Sequence, residues 1–179
     1  MSEALQALYA GDAERARALL PPDGELTVFE AAAFGRCERL ATIVDADPAE
    51  LAKHSADGFT ALHLAVFGRQ EEAARRLIER GADVNALSGG PIAQVPPLGT
   101  AAFVRSAPLA RLLLDAGADP NGRGAGGFTA LHTAAQNGDE ELARLLLGRG
   151  ADPNVATSDG RRPVDLAADD AMRALLSSR

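Results

Sequence analysis

Apolar residues recur three and four positions apart in short segments of this chain, and Gly, Pro and Asp residues interrupt them. The clearest such segment runs from Leu142 to Leu147, and its spacing is that of the buried face of an amphipathic helix. A shorter apolar segment precedes it, and the two are separated by Gln136-Asn137-Gly138-Asp139, a sequence that favours a turn. The pattern therefore predicts a pair of helices over residues 128–154.

This helix pair recurs along the chain at a nearly constant interval. The segment Thr60-Ala61-Leu62-His63 repeats Thr129-Ala130-Leu131-His132, and the ending Gly150-Ala151-Asp152 has copies that begin at Gly81 and Gly117. Equivalent apolar positions follow one another after 33, 36, 33 and 33 residues, at Phe29, Leu62, Leu98, Leu131 and Val164. Such a period predicts a solenoid, in which each helix pair buries its apolar face only against its neighbours.

The Thr-x-Leu-His start, the Gly-Ala-Asp ending and the 33-residue period resemble the ankyrin repeat family. The resemblance is strongest over residues 57–85 and 125–154. It implies an all-α fold, an α-solenoid of stacked ankyrin-type helix-turn-helix repeats joined by short turn or hairpin loops. It also implies one domain over residues 1–179, with an N-terminal cap at 1–24, internal repeats at 25–56, 57–90, 91–124 and 125–157, and a truncated C-terminal cap at 158–179.

Two segments depart from the regular pattern. Thr27 and Phe34 match Thr60 and Phe67 at a spacing of 33, but the apolar residues of the following helix match one position out of phase. Either the turn between the helices is one residue shorter here, or the alignment is shifted by one. Residues 87–97 are rich in Gly and Pro, which favours a surface loop and accounts for the 36-residue interval.

The charge and the cysteine content limit the possible partners and compartments. The net charge is −7, whereas nucleic-acid binding generally needs a basic face, so we expect no nucleic-acid partner. No apolar segment approaches the ~20 residues of a membrane-spanning helix, so we expect no membrane partner. The single cysteine, Cys37, cannot form an internal disulfide, which is typical of a reducing compartment. We therefore expect a cytoplasmic protein.

The residues that could carry out chemistry have simpler structural explanations. His63 and His132 stand at the histidine position of the family, where the resemblance implies hydrogen bonds between adjacent units. His54 has no second ligand nearby for a metal, and no base accompanies Cys37. The acidic residues at 139–141 suit the N-terminus of a helix. Because no nucleophile, base and orienting group can be assembled, we expect no catalytic residue, metal site or cofactor, and no enzymatic activity.

The aromatic residues are the candidates for binding. In ankyrin-like units the turn tips and the far ends of the first helices line the concave face. The resemblance places these residues there: Phe59, Phe67, Phe103, Val104, Phe128, Gln136 and Asn137. A row of surface aromatics is typical of a protein-binding site. The alternative is that each ring packs on the turn of the next unit and belongs to the core.

The leading hypothesis is a monomeric, non-catalytic protein–protein interaction scaffold that binds a partner protein on its concave face. The expected groove is apolar in the middle and acidic at the rim, which would favour a partner with a basic patch. An alternative is an inhibitor or immunity-type protein that covers a basic enzyme or toxin. A purely structural module remains a third possibility if the phenylalanines are buried.

Overall fold

The computed structural model of the protein describes residues 2–90 and 94–177, and over these ranges all regular structure is helical. The α-helices in chain order are α1 (Glu3–Tyr9), α2 (Ala13–Ala18), α3 (Val28–Ala33), α4 (Cys37–Ala46), α5 (Ala61–Phe67), α6 (Glu71–Glu79), α7 (Pro97–Phe103), α8 (Ala107–Asp115), α9 (Ala130–Asn137), α10 (Glu140–Gly148) and α11 (Asp170–Ser177). Short 3-10 helices lie at Asp23–Glu25, Pro48–Ala52, Ala125–Gly127 and Pro163–Leu166. The predicted all-α class is confirmed. None of the described helices is long and apolar enough to cross a bilayer.

The helices stack in two rows, as the period predicts. The first-helix row consists of α1, α3, α5, α7, α9 and the 3-10 helix Pro163–Leu166, and each member packs against the next. The second-helix row consists of α4, α6, α8 and α10, which also pack in succession. Each member of the second row contacts the first helix of its own unit. The result is a helical repeat solenoid.

The main apolar core runs along the stack between the two rows. Alanines of the first-helix row are completely buried and allow close approach of neighbouring helices, at Ala32, Ala65, Ala101 and Ala134. Leucines of the second-helix row fill the remaining volume and are also completely buried, at Leu77, Leu113 and Leu146. Burying one such leucine contributes roughly 1.5–3 kcal/mol, so each unit depends on the surface that its neighbours supply.

Capping boxes begin three of the first helices, α3, α5 and α9. The Thr60 hydroxyl accepts from the His63 backbone N–H, and the Thr60 N–H donates to Nδ1 of His63 at 3.3 Å. Thr129 and His132 repeat the arrangement, with the corresponding N–H to Nδ1 distance at 3.1 Å. At α3 the carboxylate of Glu30 replaces the imidazole. Such reciprocal caps satisfy donors that a helix N-terminus otherwise leaves free.

The second unit differs from the third in the length of its first helix. α3 has six residues and α5 has seven. Both are followed by one residue in the left-handed conformation, Gly35 after α3 and Arg69 after α5, and then by the N-cap of the second helix. One residue fewer therefore separates the two helix N-caps in the second unit, Thr27 and Arg36, than in the third unit, Thr60 and Gln70.

The Gly-Ala-Asp-x-Asn endings connect successive units. Nδ2 of Asn85 donates to the Gly117 carbonyl at 3.3 Å, and its Oδ1 accepts from the Asp119 N–H at 2.8 Å. Asn121 makes the same pair of bonds to Gly150 and Asp152, at 3.1 and 2.7 Å. The repeated asparagine thus serves as both donor and acceptor between neighbouring turns.

The turn tips are also joined by backbone hydrogen bonds. The Gly89 N–H donates to the Gly58 carbonyl at 2.6 Å, and the Ala125 N–H donates to the Gln94 carbonyl at 2.6 Å. Residues Pro91, Ile92 and Ala93, which belong to the predicted surface loop at 87–97, lie outside the described residues.

Candidate functional site

One structural position in the first-helix row carries an aromatic residue in four successive units. It lies seven residues after the N-cap of each first helix, and the caps are Ser2, Thr27, Thr60 and Pro96. The aromatic residues are Tyr9, Phe34, Phe67 and Phe103, and Gln136 holds the position in the fifth unit. The repeat therefore brings side chains that are distant in sequence to equivalent ends of neighbouring helices.

Three of these rings form a continuous aromatic strip, which consists of Tyr9, Phe67 and Phe103. The Phe67 ring centroid lies 5.0 Å from that of Tyr9 in an edge-to-face contact. It lies 6.4 Å from the Phe103 ring, with an angle of 17° between the two planes. Phe67 is half-buried, whereas Phe103 is 67% exposed. The strip therefore has a packed end at Tyr9 and an open end at Phe103.

Phe59 and Phe34 lie at the packed end. Phe59, from the turn tip, has its ring centroid 6.3 Å from Tyr9 and 5.8 Å from His63. Phe34 packs against a small buried cluster that includes Leu5 and Leu64. Both phenylalanines are half-buried. The expected row is thus neither wholly exposed nor wholly part of the core.

Tyr9 is a member of the strip that the sequence analysis missed. Its hydroxyl donates to a carboxylate oxygen of Asp57 at 2.5 Å. Burial and the adjacent Asp57 carboxylate raise the pKa of Tyr9 above its ordinary value. The available signal was its position seven residues after Ser2, but α1 has no Thr-x-Leu-His start from which to count.

Phe128 stands apart from the strip. Its ring centroid lies 5.5 Å from that of His132, and the Arg161 guanidinium carbon lies over the ring at 5.8 Å. Such a cation–π contact joins the ring to the C-terminal unit. The structure therefore gives Phe128 packing contacts toward the end of the stack.

The remaining predicted residues continue the open end of the strip toward α9. Val104 is half-buried and follows Phe103 directly. Gln136 is exposed, and Asn137 donates from Nδ2 to the Ala102 carbonyl at 3.4 Å. Gln136 and Asn137 thus bring polar side chains to the end of α9, the helix that packs against α7.

Two arginines beside the strip were also missed. Arg69 follows α5 after one residue, and its guanidinium donates to the carbonyl of Val104. Arg105 has the same place after α7, and its guanidinium donates to the carbonyl of Asn137. These two turns therefore carry positive charge, whereas the net charge led us to expect an acidic rim.

The two buried histidines support the stack. Nε2 of His63 donates to the Val95 carbonyl at 2.8 Å, and Nε2 of His132 lies 3.1 Å from the Arg161 carbonyl. Burial lowers the pKa of His63 to about 4 and also lowers the pKa of His132. The predicted hydrogen bonds between units are confirmed, with the His63 ring neutral at pH 7.

The other candidate chemical groups are dispersed. His54 is exposed and lies near the Leu87 carbonyl, and Cys37 is half-buried at the start of α4. Asp139 caps α10 by accepting from the Leu142 N–H at 3.1 Å. Over residues 2–90 and 94–177, no three His, Cys, Asp or Glu side chains gather as a metal-binding group.

Comparison with protein families agrees with this architecture. A family model described as "Ankyrin repeat" matches residues 57–88, and one described as "Ankyrin repeats (3 copies)" matches residues 95–179. These 32 and 85 residues are together about two thirds of the 179-residue chain. A search among curated proteins finds no match. Ankyrin repeats are generally protein–protein interaction modules. The period, the two helix rows and these matches show that the chain belongs to the ankyrin repeat family.

Proposed function

We propose that the protein is a non-catalytic scaffold that binds a partner protein on a concave face formed by the first-helix row and the turn tips. The observation that carries this proposal is the exposure of Phe103, which keeps 67% of its surface open while its ring stacks on Phe67. A large apolar ring held in this way loses water-exposed area on binding without needing to be ordered first.

The strip has the properties of an interface anchor. Aromatic residues and arginine are enriched among the residues that dominate binding energy. The ring of Phe67 is fixed between Tyr9 and Phe103, and Tyr9 is itself held by Asp57. The proposed contact residues are Phe59, Phe67, Phe103, Val104, Gln136 and Asn137, with Phe128 at the far edge.

The partner in this proposal is another protein, and the scaffold acts as a cytoplasmic monomer. A net charge of −7 would speed the approach of a basic partner, as the inhibitor hypothesis requires. However, several carboxylates of the second-helix row are already paired with arginines of the next unit: Glu38 with Arg76 at 3.1 Å, Asp45 with Arg80 at 2.9 Å and Asp115 with Arg149 at 2.6 Å. The structure gives the inhibitor hypothesis no specific support, so the scaffold is preferred.

Affinity capture from a lysate of the source cells tests the proposal. The immobilised wild type is compared with the Phe67→Ala/Phe103→Ala variant and with Leu87→Ala. Leu87 is a suitable control because it is also a large exposed apolar residue, at 46% exposure, but lies outside the strip. We expect captured proteins to be lost with the double variant and kept with the control. Equal capture by all three proteins, each shown to be folded by circular dichroism, would contradict the proposal.

A further inference from the structure

Arg69 and Arg105 hold an unfavourable backbone conformation beside the aromatic strip. Their φ angles are 57° and 53°, and they are the non-glycine residues with positive φ in the described part of the chain. This conformation brings the Cβ atom of an L-residue close to the following carbonyl oxygen. Gly35 and Gly138 hold the same position in the neighbouring units, with φ of 66° and 65°. The turn itself therefore does not require a side chain here, and strained residues of this kind concentrate at binding sites.

The two guanidinium groups are positioned at the open end of the strip. Arg69 donates to the carbonyl of Val104, the residue that follows the exposed Phe103, and Arg105 donates to the carbonyl of Asn137. These carbonyls lie at the ends of α7 and α9, where the helix dipole favours a cation. Each of these two hydrogen bonds uses one donor of a guanidinium that has five N–H groups, which leaves donors free for a ligand.

Neither arginine has a carboxylate partner among residues 2–90 and 94–177. By contrast, several arginines of the second-helix row are paired with acidic residues of the preceding unit, as in Arg76 with Glu38 and Arg149 with Asp115. The helices α5, α7 and α9 contain no Asp or Glu. The first-helix row thus presents positive charge beside Phe103, although the chain as a whole is acidic.

We propose that Arg69, Arg105 and the aromatic strip together bind an acidic segment of the partner protein. Asp or Glu carboxylates of that segment pair with the guanidinium groups, whose planar geometry suits two parallel hydrogen bonds. An apolar side chain of the same segment packs on the Phe103 ring. This inference rests on the proposed scaffold function, and for the contact region it replaces the basic patch expected from net charge.

A selection from random displayed peptides tests the inference. Selections are run in parallel on the wild type and on the Arg69→Gly/Arg105→Gly variant, whose turns keep the residue type found at Gly35 and Gly138. We expect the wild type to enrich peptides that combine Asp or Glu with apolar residues. An enriched peptide should bind the variant at least about tenfold more weakly, which corresponds to about 1.4 kcal/mol. Its affinity for the wild type should fall as salt is added.

Two further variants show which part of the proposal has failed if the result differs. Arg17→Gln/Arg111→Gln removes two exposed charges from second helices and should leave peptide affinity unchanged, whereas Phe103→Ala should weaken it. Peptides rich in Lys or Arg that require Phe103 would overturn the acidic partner but keep the scaffold function. The absence of any enriched peptide that requires Phe103 would contradict both proposals. Tighter binding of a single-stranded oligonucleotide that depends on Arg69 and Arg105 would overturn the inference in favour of a phosphate ligand.

Discussion

Leu146 in the second-helix row has no exposed surface, whereas Phe103 in the first-helix row is 67% exposed. Both are large apolar residues at repeated positions of short helices. Leu146 belongs to the core that adjacent units share. The Phe103 ring is covered on one side by Phe67, and the equivalent position in the next unit is the polar Gln136. Apolar periodicity therefore predicts burial only where the neighbouring unit supplies a matching surface.

The charged residues of the two rows differ in the same way. In the second-helix row Arg80 is paired with Asp45 across a repeat boundary, so its charge is compensated within the protein. In the first-helix row Arg69 and Arg105 contact backbone carbonyls and have no carboxylate partner among the described residues. The charge of Arg80 is thus compensated within the protein, whereas the first-helix row leaves apolar area at Phe103 and donors at Arg69 and Arg105 open.

Truncating one large side chain in each row should lower the free energy of unfolding by very different amounts. We expect Leu146→Ala to lower the free energy of unfolding by about 2–5 kcal/mol, because it leaves a cavity in a closed core. Phe103→Ala should cost about 1 kcal/mol or less, since it removes one ring contact and little buried area. Urea denaturation monitored by circular dichroism measures both. Equal losses would mean that Phe103 is a core residue and that the contrast between the rows is wrong.

His63 lies near the start of α5 in the first-helix row and is completely buried, unlike the exposed Phe103 at the end of α7. A titration of this histidine tests that difference. The folded pKa of His63 is about 4, whereas an unfolded histidine titrates near pH 6.5. Between these values the unfolded chain binds a proton that the folded protein does not. Stability should therefore fall as pH falls through this window, by about 3 kcal/mol in total, and level off below it.

The control for this titration is His63→Gln, which removes the titrating group. Carboxylates also titrate near the lower end of the window, so the relevant quantity is the difference in unfolding free energy between the wild type and the variant at each pH. That difference should change by about 3 kcal/mol between pH 7 and pH 4. A His63 pKa near 6.5, measured by NMR in the folded protein, would contradict the burial described for its ring.

The sequence predicted the stack because its signals are local and repeated. The leucine spacing, the turn at Gln136–Asp139 and the Gly-Ala-Asp endings each recur in the correct order, so the helix pairs could be located without tertiary information. The alignment of the second unit was left open between two alternatives, because Gly35 aligns with Gly68 by residue type although it shares the left-handed conformation of Arg69. A conformation of this kind is not visible in a comparison of residue letters.

The candidate surface was predicted only in part, for a physical reason. Phe67 and Phe103 could be found from the repeat alone. Tyr9 could not, because its partner Asp57 is 48 residues away, its partner Phe67 lies still farther along the chain, and its own unit lacks the usual start. Arg69 and Arg105 look like ordinary surface charges until their φ angles and their unpaired state are known. The exposure of a side chain and the strain of its backbone depend on contacts with neighbouring units, and a single sequence does not show these contacts.

The asparagines that follow the second helices should give the smallest of these effects. Asn121 donates to the Gly150 carbonyl and accepts from the Asp152 N–H of the next unit. Replacing it with Ala removes both bonds without changing the packing of either row. At about 1 kcal/mol per hydrogen bond, we expect Asn121→Ala to lower the free energy of unfolding by about 1–2 kcal/mol. The measurement is urea denaturation under the conditions used for Leu146→Ala.

Asn154 is the matched control, because it ends the third copy of the same motif but bonds differently. Its backbone N–H donates to Asp152 at 2.8 Å, as the equivalent residue does in the other copies, but its exposed side chain has no hydrogen bond within residues 2–90 and 94–177. Asn154→Ala should therefore change stability by less than about 0.5 kcal/mol. If the two alanine variants lose the same stability, Asn121 contributes only within its own turn, and its hydrogen bonds to the next unit make no measurable contribution to stability.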